Sequence, residues 1–169
     1  MRSLTAAFAV ALASGCMTAG PARVSLDADD AANQLRALTL SCAFEIDAVV
    51  DVRKDPTIQG YWRNGAEIAN LAPYMEEKIR TWVPVDASPS PAERLDIELF
   101  RLTVSNKATV GFFDVVLRVM SDSAAPAHVR GRYASTIWFG HQDEFRAEVQ
   151  RAVDAALVEL HRHLEGRCS

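Results

Sequence analysis

Three consecutive runs in the second half of the chain alternate apolar and polar residues, and this period of two constrains the fold more than any other feature. Leu95, Ile97 and Leu99 alternate with Asp96 and Glu98, after which Leu102 and Val104 continue on the opposite parity. A single inserted residue near Phe100 would restore one apolar face, so a β-bulge is expected there. Asn106 and Lys107 turn the chain into a second run, residues 109–120, with Phe113, Val115, Leu117 and Val119 on one side. A loop over residues 121–127 precedes the third, where Val129, Gly131, Tyr133, Ser135 and Ile137 alternate with Arg130, Arg132, Ala134, Thr136 and Trp138. Short links between alternating runs predict an antiparallel meander with one buried face.

A fourth strand is expected earlier. Phe44, Ile46, Ala48, Val50 and Val52 alternate with Glu45, Asp47, Asp51 and Arg53, the pattern of a half-buried strand. Lys54-Asp55-Pro56 breaks it, and Gly60, Asn64 and Gly65 mark turns. Leu71, Met75, Ile79 and Trp82 then recur at helical spacing, with Pro73 near the start and Pro84 as a stop. Phe145, Val149, Val153, Leu157, Leu160 and Leu164 predict a long terminal helix from about Asp143, with Gly166 at its end. Residues 27–38 carry a weaker helical pattern. The sum is an α+β fold: a two-layer sandwich, mostly antiparallel sheet of about four strands with two helices packed on one face. The other sheet face would then stay at least partly free.

The first residues carry an address. Arg2, the apolar block from Leu4 to Leu12 and the small residues Ala13, Ser14 and Gly15 read as a secretory signal spanning residues 1–15. The block is too short for a hydrocarbon core that needs about 20 apolar residues. Ala-Ser-Gly followed by Cys16 resembles the lipobox of bacterial lipoproteins, which implies acylation of Cys16 and its exposure as the mature N-terminus. Multiple acyl chains give stable anchoring. Residues 16–26 would form the lipidated cysteine and tether, and residues 27–169 a single domain. Met17 stands after the cysteine where an aspartate would imply inner-membrane retention, so the resemblance implies an outer-membrane position facing the periplasm.

The chain has 18 basic and 22 acidic residues, a formal charge of −4, and loss of Arg2 makes it more negative. That excludes nucleic acid as a natural partner. With Cys16 acylated, Cys42 and Cys168 remain as an even pair in an oxidising compartment. A disulfide between them is expected; two free thiols and a metal pair are the alternatives.

Chemistry-bearing patterns are sparse. There is no nucleophile elbow, phosphate loop or His-Glu zinc motif, so a non-catalytic protein without cofactor or metal is expected. His161 and His163 sit two apart, on different sides of a helix, and read as helix-end charges. His141 falls in the turn before the last helix, where a general base of a small periplasmic hydrolase could stand, but no partner group can be named for it. Glu45, Asp47 and Asp51 could form an acidic metal face; pairing across strands with Arg118, Arg130 and Arg132 is the preferred account. The free sheet face supplies the remaining candidate. Phe112, Val116 and Trp138 share parity with Arg118, Arg130 and Arg132, giving apolar area edged by guanidinium, suited to a protein or anionic-lipid partner.

The segment Val49-Val50-Asp51-Val52-Arg53, in an order of lipobox, alternating strand, Gly60 turn, helix, three strands and amphipathic end helix, is similar to the YajG-like family of small bacterial lipoproteins. The lipopolysaccharide-assembly lipoprotein and the auxiliary lipoproteins of lipid-transporting ABC systems look like the wider architectural neighbourhood. The resemblance implies a binding or accessory component in envelope assembly or transport. A lipid or lipopolysaccharide carrier is the alternative it leaves, which would need an apolar groove between helix and sheet.

Overall fold

The structure, a computed structural model, describes residues 21–27, 35, 37–58, 65–83, 93–107, 110–136 and 141–168. Nine elements follow in chain order: β1 (Ala22–Val24), β2 (Phe44–Asp51), β3 (Thr57–Ile58), β4 (Ala66–Ile68), α1 (Leu71–Arg80), β5 (Glu93–Lys107), β6 (Val110–Ser121), β7 (Ala127–Thr136) and α2 (Gln142–Glu165). The fold is α+β, with a four-stranded sheet ordered β2-β5-β6-β7 and a three-stranded sheet ordered β1-β4-β3. The signal segment, Cys16, most of the weak helix over residues 27–38, Gly60 and Trp138 lie outside the described residues.

The meander forms as its alternation requires. β5 pairs antiparallel with β6, and β6 with β7; the register shifts between Leu99 and Arg101, leaving Phe100 as the extra residue. Leu95, Ile97 and Leu99 before the shift and Leu102 after it are all buried, so the bulge does put both halves of the strand on one face. Phe113, Val115, Leu117, Val119 and Val129 complete that face.

β2 departs from the expected strict alternation. It pairs in parallel with β5, α1 carrying the chain back between them, and its register shifts between Ile46 and Ala48. Phe44 and Ile46 point into the core, then Val49 does. Val50 and Val52, expected inside, are 40% and 39% exposed. The shift at Asp47 flips the parity of everything beyond it.

Both helices cover the buried face. α1 packs on β2, while α2 packs on β7 and β6. From α1, Leu71, Tyr74, Met75 and Ile79 are buried, and Trp82 follows just beyond its end. From α2, the fully buried set includes Phe145, Val149, Val153, Leu157, Leu160 and Leu164. Gly131 is the point of closest approach: a Cβ built there would lie 2.3 Å from the backbone nitrogen of Ala156 and 2.5 Å from its Cα. Only a residue without a side chain lets the helix backbone settle onto β7. Between the helices, the Tyr74 hydroxyl donates to Asp154 Oδ1 at 2.6 Å, satisfying a carboxylate that is 5% exposed.

The three-stranded sheet was not expected, and it moves the domain boundary. Residues 22–26 belong to the folded unit and not to a tether: Ala22–Val24 pair with β4, and Val24 and Leu26 are buried. Two side-chain amides then substitute for a neighbouring strand. Leu26 donates to Asn70 Oδ1 at 2.7 Å and accepts from Asn70 Nδ2 at 2.8 Å. Asp27 makes the same two bonds with Gln150, at 3.1 and 2.9 Å. Each amide satisfies one backbone donor and one acceptor where no strand is available.

The far end of α2 is fastened to the residues before β2. Cys42 and Cys168 are joined by a disulfide with a Cα separation of 5.4 Å, as counting cysteines predicted. Glu165 accepts from both the backbone and the hydroxyl of Ser41, and His161 Nε2 lies 2.9 Å from the Thr39 carbonyl oxygen with its ring edge-on to Trp82. His161 is therefore a tie between helix and lead-in segment, not a solvated helix-end charge. Gly166 closes the helix, its N–H donating to the Arg162 carbonyl at 3.1 Å, but in right-handed conformation.

Candidate binding face

The outer face of the four-stranded sheet is built from residues of alternate parity to the core, and register decides who meets whom. Across β5, β6 and β7 the rows are Glu98, Arg118 and His128; then Arg101, Val116 and Arg130; then Thr103, Asp114 and Arg132. Among the described residues neither helix packs here.

Asp114 is the centre of the face. Arg130 donates to its Oδ1, Arg101 Nη2 reaches Oδ2 at 3.0 Å, and Arg132 Nε lies 3.5 Å from Oδ1. Partial burial pushes the carboxyl upward, but the Arg130 hydrogen bond and the charges of Arg130, Arg101 and Arg132 outweigh it and hold Asp114 below its ordinary value. One carboxylate serving three guanidiniums leaves a local excess of two positive charges. The arginine side chains are 48%, 45% and 68% exposed for Arg101, Arg130 and Arg132, so their remaining donors face solvent.

A second cluster adjoins it. Arg118 pairs with Glu98, itself largely buried, and lies 5.3 Å from the centre of the Phe100 ring, which meets His128 edge-on at 5.5 Å. Phe100 and Phe112 are exposed large apolar groups on this side. A concavity of about 430 Å³ includes Phe112, Asp114, Arg130 and Arg132 in its wall.

The expected face is thus assembled with two corrections. Val116 is buried, 6% exposed, and not part of an open patch. It sits between Arg101 and Arg130 in register, the two arginines nearest Asp114. The arginines pair with Glu98 and Asp114, not with Glu45, Asp47 or Asp51. Glu45 instead meets Arg94 at 3.1 Å, and Asp51 meets Arg53. Trp138 lies outside the described residues. Asp114 was missed because its parity, shared with Phe112 and Val116, names no partners until β6 is set in register between two arginine-bearing strands.

The other candidates separate. His141 is exposed at the N-cap of α2, and among the described residues no group hydrogen-bonds to its ring. Among the described residues no three His, Cys, Asp or Glu side chains converge as a metal site, and no helix is long and apolar enough to cross a membrane. Near the C-terminus of α2, His163 carries a buried Nε2 without a hydrogen-bond partner among the described residues; burial and the neighbouring Arg167 charge lower its pKa.

No protein-family model matches the chain, and no curated protein matches it. Among solved structures it is similar to a Xanthomonas campestris protein of family DUF330, at 12% identity and a TM-score of 0.52, over 86% of this chain and 97% of that one. A second structure, of an uncharacterized protein, aligns with a TM-score of 0.42 at 9% identity, covering 89% of this chain and all of that one. At 12% identity the first likeness establishes a shared fold alone.

Proposed function

We propose that this protein is a non-catalytic bacterial envelope lipoprotein of the YajG-like kind, anchored through Cys16 to the outer membrane, facing the periplasm, and acting as an accessory in envelope assembly or transport. The observation carrying the reading is the outer sheet face, on which neither helix packs among the described residues and where three guanidiniums share Asp114 beside exposed Phe112. A face of this kind offers oriented donors and an aromatic anchor to a partner with acidic groups. The lipobox-like stretch ending at Cys16 and the Cys42–Cys168 disulfide support an oxidising, membrane-proximal setting. Anionic lipid is the second reading, supported by the same arginines; the carrier form of it is weakened, because a groove of about 450 Å³ lies at the edge of β5 and not between helix and sheet.

Photocrosslinking from position 112 in native envelopes tests the face. A discrete protein adduct that disappears in an Arg130→Ala, Trp138→Ala variant is expected, and adducts unchanged by those substitutions would refute the proposed face. Metabolic acyl labelling that survives Cys16→Ser would refute the anchor.

A further inference from the structure

The two edges of the four-stranded sheet are unequal. β2 leaves β5 after Asp51, the Val52 N–H making a last bond to the Leu99 carbonyl. β5 nevertheless runs on to Lys107, paired with β6 on its other side. Among the described residues no strand pairs the β2-side edge of β5 over 101–105. Such an edge presents unmet backbone donors and acceptors at alternate residues, a template for one more strand.

A groove of about 450 Å³ lies along this edge. Val52, Phe100, Leu102 and Val104 give it an apolar wall, and Val52 and Phe100 are among the exposed large apolar residues of the protein. Its end near β2 carries Arg53, Lys54 and Asp55, and Thr57 and Ile58 of β3 also line it. Arg53 is unusual. Its side chain is 4% exposed and held in a two-point pair with Asp51, Nε to Oδ1 at 2.9 Å and Nη2 to Oδ2 at 2.7 Å. Its Nη1 is buried and, among the described residues, without a hydrogen-bond partner. An unmet charged donor is costly, and in a native protein it points to a group that is not present.

We propose that this groove takes an extended peptide segment of a partner protein, which adds a strand to the free edge of β5 and brings a carboxylate to Arg53 Nη1. The backbone edge supplies main-chain bonds, the apolar wall takes alternate side chains, and the guanidinium reads the acid. A peptide suits the groove, because an edge offers bonds that an acyl chain has no groups to use. The site borders the Asp114 face and shares Phe100, Arg101 and Thr103 with it, but Arg53 is its own, so the Arg53 comparison reads the groove alone.

The test is a selection of displayed random heptapeptides on the purified protein, followed by affinity measurement with the enriched peptide and its acid-to-amide counterpart. Enrichment of β-branched residues with an Asp or Glu is expected, together with slowed amide exchange over residues 101–105. The amide peptide should bind about tenfold more weakly. That difference should vanish in Arg53→Gln, while Phe100→Ala, at an exposed position, should weaken both peptides. The acid-to-amide comparison uses unaltered protein and holds even if Arg53→Gln fails to fold. No enrichment, binding without protection of 101–105, or equal affinity for acid and amide peptides would overturn the proposal. So would displacement of the peptide by cis-parinaric acid with the same dependence on Arg53, which would assign the groove to fatty acids.

Discussion

Gly131→Ala probes the closest contact in the core and should cost far more than one methyl group suggests. The added Cβ would sit 2.3 Å from Ala156 N, 2.5 Å from its Cα and 2.7 Å from its Cβ. Ordinary carbon contacts need about 3.5–4.0 Å, so the helix backbone must retreat by roughly 1 Å. α2 has little freedom to do so. Val153, Leu157 and Leu160 on its flanks are fully buried, and its far end is fastened by the Cys42–Cys168 bond. Overpacking of this type costs about 1–3 kcal/mol, and rigid backbone on both sides places it at the upper end. Reduced freedom of the unfolded chain returns about 0.4–1 kcal/mol. The net loss should be about 2 kcal/mol, which lowers Tm by about 4–8 °C in a domain of this size. Thermal and urea unfolding of the oxidised protein, followed by circular dichroism, measure it. Ala156→Gly added to Gly131→Ala should restore only a small part, since the two shorter contacts are to backbone that the second substitution leaves in place. A single variant within about 0.5 kcal/mol of the parent, or full rescue by Ala156→Gly, would refute the argument.

Two further outcomes follow from the C-terminal end of α2. The Cys42–Cys168 bond closes a loop of sequence separation 126, so Cys42→Ser, Cys168→Ser should lose about 3–5 kcal/mol in urea unfolding; alkylation of two free thiols in the parent would show that the bond does not form. Burial and the Arg167 charge depress the His163 pKa, so between its depressed folded value and the ordinary histidine value the unfolded chain binds the extra proton. That contribution is in full above the ordinary value of about 6.5 and is lost as pH falls through the folded one. His163→Gln should flatten the fall in urea midpoint below pH 7, and an unchanged slope would count against a buried neutral ring.

What could be read from the chain divides along physical lines. The Phe100 bulge was legible because charged residues, Asp96 and Glu98, fix the parity before it and Thr103 and Ser105 fix it after. The core face of α1 was legible because Leu71, Met75 and Ile79 recur every four residues, whereas Tyr74, buried beside them, carries no such signal next to Ala72 and Pro73. The strand Ala22–Val24 was not, since three residues carry no measurable period and its fastening depends on Asn70 and Gln150, far along the chain. Asp114 was likewise invisible as a hub, because one acid becomes a shared counterion only when register brings arginines from two other strands to it.

The misread strand and the proposed groove both arise at register shifts. In β2, Ala48, Val49 and Val50 are all apolar, so either parity satisfies a hydrophobic count, and the choice falls to pairing with β5. The shift at Asp47 assigns Val49 to the core and turns Val50 and Val52 outward. In β5 the shift at Phe100 does the same for the phenyl ring. Val52 and Phe100, displaced by separate bulges on adjacent strands, meet in one wall where β2 departs and the β5 edge is left open. A bulge re-aims side chains and disrupts pairing, so two bulges, one on each strand, set the apolar wall at the point where β2 and β5 part. Deleting Asp47 takes out the extra residue and should straighten β2 while leaving Val49 inside and Val50 outside, because Ala48 and Val49 keep their partners Asp96 and Ile97; β5 should stay paired with β6, and amide exchange across β2, β5 and β6 reads both outcomes.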